Sequence, residues 1–134
     1  MYEFGLLLGG FNPPHLGHIE LIKASLDRAK SIHVLIGTRP KYQLPFEVRY
    51  QALKSGVEEA GLASKVMIYY PRVPVFKVDL ARYDLFVMGS DVFNLLDPEN
   101  EKLRTEDRQF FSRFDNLFVL ERGGLPVDTR TLDH

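Results

Sequence analysis

Two histidines three residues apart, His15 and His18, close the run Gly9-Gly10-Phe11-Asn12-Pro13-Pro14-His15-Leu16-Gly17-His18. An apolar run, residues 4–8, precedes it, and a segment with helical periodicity follows. This is the pattern of a strand, a tight loop and a helix N-terminus. The unpaired backbone N–H groups and partial positive charge of such a helix end suit an anion. Gly9 and Gly10 permit the backbone to approach a ligand closely. Pro13 and Pro14 stiffen the turn and remove competing donors. At a spacing of three, the histidines share one face of a helix that begins near His15, and Gly17 leaves that face open. Two imidazoles placed there can donate hydrogen bonds to phosphate oxygens as charge builds up. The plainer alternative is that both only cap the helix.

Residues of related chemistry stand where later apolar runs end. Gly89-Ser90-Asp91 closes one run. A carboxylate accepts two hydrogen bonds from a vicinal diol, so Asp91 suits a ribose, with Gly89 allowing close approach; the plainer alternative is that Asp91 only N-caps the segment over 92–96. Arg39 and Lys41 lie in a loop over 38–45 with Pro40 and Pro45, where they either grip phosphate or are solvated charges. Asn12 either offers its amide to a reacting phosphate or stabilises the turn. Arg122 follows another apolar run, ahead of Gly123 and Gly124, which also read as a simple glycine turn. His33 interrupts an apolar run and reads as a satisfied or edge histidine rather than a catalytic one.

Strands and helices must alternate to bring these residues together. Apolar runs of strand length at 4–8, 32–36, 66–70, 85–88 and 117–120 are separated by amphipathic segments. Ile19, Ile22, Leu26 and Ala29 place a helix over 18–30. Phe46, Tyr50, Leu53 and Val57 place another, stopped by Gly61. A short helical turn is expected over 79–83, and helical segments over 92–96 and 99–114. The alternation predicts one α/β domain over residues 1–134: a five-stranded parallel sheet with helices on both faces and right-handed crossovers. Ligands of such sheets sit at the carboxyl ends of strands, where the strand order reverses. The loops after strands one, two, four and five are therefore expected to converge.

Composition agrees with a small globular domain. The chain has 134 residues, 45% apolar and 26% charged, with a formal net charge of −1. Without a long basic run, duplex nucleic acid is not an expected partner. The chain contains no cysteine, which excludes disulfides and cysteine-ligated metal sites. No stretch approaches bilayer length and the first residues lack a basic leader pattern, so a cytoplasmic protein with no membrane association is expected. The oligomeric state is left open.

Residues 9–18 fill every fixed position of G-x-F-x-P-x-H-x-G-H. The chain thereby resembles the nucleotidyltransferase superfamily with the HxGH motif, most of all the nicotinate- and nicotinamide-mononucleotide adenylyltransferases. The resemblance implies a Rossmann-like fold and adenylyl transfer from ATP to a small phosphate-bearing acceptor, with Mg²⁺ carried by the ATP and no metal held by the protein. It implies that Gly9, Gly10, Phe11, Asn12 and Gly17 form the nucleotide loop, and that His15 and His18 stabilise the transition state. Lys41 stands where several members place a phosphate-gripping base. Gly89 and Asp91 resemble the G-x-D element that contacts the adenosine half, and Arg122 lies in a stretch similar to V-x-R-P-G. Thr129 and Arg130 stand in place of an I-S-S-T-x-x-R segment that grips the outer phosphates. Arg49 resembles the arginine of an R-x-x-M-like segment, and reads as well as a helix-surface salt bridge. The family commonly stacks a pyridine ring on tryptophan, which this chain lacks; Phe76, Tyr83 or Phe93 could supply a face. Phosphopantetheine adenylyl transfer, cytidylyl transfer and non-catalytic nucleotide binding stay open as alternatives.

Overall fold

A computed structural model describes residues 1–11, 13–37, 44–73, 77–89 and the backbone of 117–120. Five strands and two helices follow in the order β1 (Tyr2–Gly9), α1 (Leu16–Leu26), β2 (Ala29–Ile36), α2 (Phe46–Glu59), β3 (Val66–Ile68), β4 (Leu85–Gly89) and β5 (Leu117–Leu120), with a short 3₁₀ turn, Leu80–Arg82, before β4. All pairings are parallel, in the order β3-β2-β1-β4-β5. The chain steps outward from β1 to β3, then returns to the other side of β1 for β4. The order therefore reverses at β1, and the loop that leaves β1 sits at the switch point.

Side-chain alternation divides the sheet into two faces. Leu7, Ile32, Val34, Ile36, Leu85 and Val87 pack with Ile19, Leu21 and Ile22 of α1 and with Leu53 and Val57 of α2 in one buried cluster. Two successive right-handed crossovers in the same direction put both helices on this face. The helices also touch: a Cβ added at Gly56 would lie 3.2 Å from Ile19 Cδ1. Leu6, Leu8, Leu35, Phe86 and Met88 point to the opposite face and are buried as well. The helical segments expected over 92–96 and 99–114 lie outside the described residues, so the described helices occupy one face.

The boundaries differ from expectation where local chemistry overrides periodicity. Helix α1 stops at Leu26 rather than continuing to residue 30, because the Arg28 amide folds back onto the Ser25 carbonyl and the Arg28 carbonyl accepts from Tyr2. Ala29, three residues beyond Leu26, imitates the helical stripe but is the first residue of β2, paired with Tyr2. Helix α2 ends as its sequence suggests. Gly61, at φ 74°, lets its own amide reach the Glu58 carbonyl and that of Leu62 reach Val57, a Schellman closure that needs the left-handed residue. Strand β3 pairs only through Ile68, with one more bond from the Tyr69 amide to Val34. Pro71 then has no N–H to offer.

His33 is a satisfied core histidine, 7% exposed. Its Nδ1 lies 2.8 Å from the Tyr83 hydroxyl, which is in turn hydrogen-bonded to the Tyr69 hydroxyl. Burial, helped by the nearby Arg82 charge, holds the His33 imidazole below its ordinary value. Burial and the bond to Tyr69 push the Tyr83 hydroxyl well above the usual tyrosine range. A depressed folded-state value means the unfolded chain takes up a proton first as pH falls, so stability is full above the unfolded value and declines below it. Denaturant midpoints are expected to drop between about pH 7.5 and about pH 5.5, spanning the ordinary imidazole range near 6.5. The drop should be smaller in His33→Leu. An unchanged pH slope in that variant would contradict the assignment.

Candidate functional site

Strands β1 and β2 end together, the Gly37 amide donating to the Gly9 carbonyl at 2.8 Å. The chain leaving Gly9 turns inward. Phe11 adopts φ 52° and its ring is 2% exposed, packed beneath the His18 ring with centroids 4.6 Å apart. A left-handed non-glycine residue costs about 1–3 kcal/mol, and burying a phenylalanine ring returns a similar amount, about 1.5–3 kcal/mol. Gly9 suits this packing, since a Cβ there would sit 3.0 Å from Phe11 Cε2 and the ring would have to shift by a few tenths of an ångström. The Phe11 side chain thus supports His18 from within the core.

The histidines do cap α1, and the way they do so defines what else they can do. His15 is the extended N-cap, with its Nδ1 accepting from the Gly17 amide at 3.0 Å. His18, at the third helical position, returns the favour: its Nδ1 accepts from the His15 amide at 3.0 Å. The rings lie 4.0 Å apart, inclined by 33°. His15 is exposed and His18 is 9% exposed. A ring nitrogen that accepts a backbone N–H carries no proton, so this pattern assigns the N–H of each neutral ring to Nε2. Capping engages Nδ1 of each ring and places the proton on Nε2. The first turn of α1 has no acidic residue to neutralise the helix end.

Arg49, which in the sequence resembles the arginine of an R-x-x-M-like segment and reads as well as a helix-surface salt bridge, is 3% exposed and central to the loop framework. Its Nη1 donates to the Gly10 carbonyl at 2.9 Å and to the Gly37 carbonyl at 2.8 Å, and its Nε to the Leu44 carbonyl at 3.0 Å. The signal was present: Arg49 stands three residues after Phe46 and four before Leu53, on the apolar stripe of α2.

Of the other expected site residues, Gly89 is buried at the carboxyl end of β4, level with Gly9 by the register that pairs Leu7 with Val87. Gly9, Gly10, His15, Gly17, His18 and Gly89 thus share the carboxyl edge of the sheet around the switch point. Asn12, Arg39, Lys41, Ser90, Asp91, Arg122, Thr129 and Arg130 lie outside the described residues, as do Phe76 and Phe93. Tyr83 cannot supply a stacking face, being 6% exposed with its hydroxyl committed to His33 and Tyr69. Among the described residues, Tyr70 is an exposed aromatic beyond β3, 53% exposed, beside Tyr50 and Phe46 with its hydroxyl donating to Glu47 at 2.7 Å. Among the described residues no three His, Cys, Asp or Glu side chains gather to hold a metal ion, and no helix is long and apolar enough to cross a membrane.

The cap is separable from any ligand chemistry. His15→Ala removes the side-chain acceptor and is expected to cost about 0.5–2 kcal/mol in urea unfolding. His15→Asn, which keeps a capping oxygen, should recover most of that loss. Equal destabilisation by both would show that His15 does not cap.

Comparison with known proteins agrees with this architecture. The cytidylyltransferase-like family model matches residues 6–118. A nicotinamide-nucleotide adenylyltransferase of Caldivirga maquilingensis is 33% identical over 72 residues, covering 50% of this chain and 40% of the relative. A phosphopantetheine adenylyltransferase of Leifsonia xyli subsp. xyli is 29% identical over 69 residues, covering 50% of this chain and 43% of the relative. The matches thus span less than half the length of these curated relatives. In fold, the chain is similar to the Plasmodium falciparum nicotinic acid mononucleotide adenylyltransferase solved with APC, at TM-score 0.62 and 21% identity over 99% of this chain and 70% of that one. With the strand order, the switch-point loop and the extent of the family match in agreement, the chain belongs to the cytidylyltransferase-like family of nucleotidyltransferases.

Proposed function

We propose that the protein transfers the adenylyl group of ATP to a small phosphate-bearing acceptor, nicotinate or nicotinamide mononucleotide, releasing pyrophosphate. The observation that carries the proposal is the pair of imidazoles that cap α1 through Nδ1, set at the positive end of the helix and at the switch point of the sheet. The relatives named for nicotinamide-nucleotide adenylyl transfer support the choice of acceptor, as does a structure of similar fold solved with NaAD.

The chemistry suits such a site. An acceptor phosphate is already anionic, so its oxygen attacks the α-phosphorus without a general base. The bond from the α-phosphorus to the bridging oxygen breaks, and pyrophosphate leaves with the electron pair. What the protein supplies is in-line placement and donors aimed at the developing charge. Neutral Nε2–H groups fulfil the second need without taking a proton. Mg²⁺ enters with the ATP and counters the charge of the departing pyrophosphate. In this reading Gly9, Gly10, Asn12 and Gly17 line the phosphates and Lys41 adds a cation. Gly89 and Asp91 hold the ribose, and Arg122, Thr129 and Arg130 reach the remaining phosphates. A second acceptor, phosphopantetheine, is supported by the similarity to the Leifsonia enzyme.

Purified protein with Mg²⁺-ATP is expected to release pyrophosphate only when the right acceptor is added. The panel is nicotinate mononucleotide, nicotinamide mononucleotide, phosphopantetheine and glycerol phosphate. ATP binding without release across that panel would replace the enzyme reading with a nucleotide-binding module. His18→Ala is expected to lower turnover by about 10²–10³, the loss typical of a transition-state donor, with nucleotide affinity largely kept. Unchanged turnover would remove His18 from the mechanism.

A further inference from the structure

We propose that Arg49 is a positioning residue: one guanidinium sets the histidine loop at a fixed place relative to the end of β2, and so determines where His18 stands. The proposal rests on the adenylyl-transfer reading for its kinetic consequence and on geometry for the rest. Arg49 comes from the first turn of α2, yet its bonds go to three other segments. Nη1 bridges the carbonyls of Gly10, which starts the histidine loop, and Gly37, which follows β2. Nε takes the Leu44 carbonyl, immediately before α2. The Arg49 guanidinium also lies 5.9 Å from the Phe46 ring centroid.

The route from Arg49 to the histidines is short. Gly10 precedes Phe11, whose ring carries His18. His18 then holds the His15 amide. Displacing the Gly10 carbonyl displaces the left-handed turn at Phe11 and the ring resting on it. A planar fork with donors in fixed directions can bridge carbonyls of separate segments; a lysine, with one compact ammonium on a flexible stem, cannot hold the same three. The arginine touches no reacting atom in this account. Its effect passes through backbone carbonyls and the Phe11 ring.

Hydrogen exchange and kinetics of Arg49→Lys test the proposal. Hydrogen bonds from a charged group to carbonyls are strong, so the hydrogen-bonded amides of His15, Gly17, His18 and Gly37 should exchange at least about tenfold faster together, while those inside β1 and β2 stay as in the wild type. Acceleration of the whole sheet, or of neither loop, would overturn the proposal. If Arg49→Lys does not fold, the wild type decides by nuclear magnetic resonance. Slowly exchanging Arg49 Nε–H and Nη–H protons are expected, and rapidly exchanging ones would overturn it. In turnover, Arg49→Lys should lower kcat at least tenfold, by about the amount a misplaced donor loses, with KM for ATP within a few-fold. A further His18→Ala should then cost much less than it does in the wild type. Full additivity would mean that Arg49 only stabilises the fold, and would overturn the positioning role. Should no acceptor be turned over, the adenylyl-transfer reading fails alone, because the exchange measurements still decide the role of Arg49.

Discussion

Everything at the candidate site hangs from the place where β1 and β2 run out side by side. The last rung of their ladder is the Gly37 amide on the Gly9 carbonyl. One residue further, regular pairing is gone and two part-buried carbonyls, those of Gly10 and Gly37, have no partner in the sheet. Carbonyls left unsatisfied there would be costly. The chain answers with one guanidinium that takes both and the Leu44 carbonyl besides. Segments with no secondary structure in common therefore leave the sheet at a fixed separation. The reversal of strand order at β1 places the loop so held at the switch point of the sheet.

The choice of histidine at both ends of the capping box follows from what each alternative would do. Serine or threonine would cap α1 as well and present nothing further. Aspartate would cap and cancel the positive helix end, repelling an anion. Imidazole caps with one nitrogen and keeps an N–H on the other. Because each ring accepts a backbone amide, the fold sets its tautomer as well as its direction. Gly17 supplies one of those amides without adding a side chain, and Phe11 limits how far His18 can settle into the core. The strained turn at Phe11 is thereby explained, since a favourable φ would carry the ring away from His18.

Much of this was legible in the residues, and the failures are instructive. Buried strands declared themselves because parallel strands are apolar on both faces, and β5 falls over residues 117–120 as expected. The histidine loop was readable because glycine, proline and histidine stand at fixed spacings. The end of α1 was not, since Ala29 satisfies helical and strand patterns alike and only the Tyr2–Arg28 bond separates them. Arg49 was left between two readings for a different reason. A charged residue on an apolar stripe is ordinarily placed outside, and nothing in one sequence reveals three carbonyls waiting for it. Tyr83 shows the converse: an aromatic residue near the right loop, but aimed at His33 rather than at a ligand.

The central claim is that His15 and His18 are neutral Nε2–H tautomers that donate to a nucleotide phosphate. Nitrogen resonances of the two rings, recorded with and without Mg²⁺-ATP, test it most directly. The account predicts unprotonated Nδ1 and protonated Nε2 in both rings, with both Nε2 resonances moving when the nucleotide binds. Rings protonated at Nδ1, or Nε2 resonances that ignore a bound nucleotide, would contradict it.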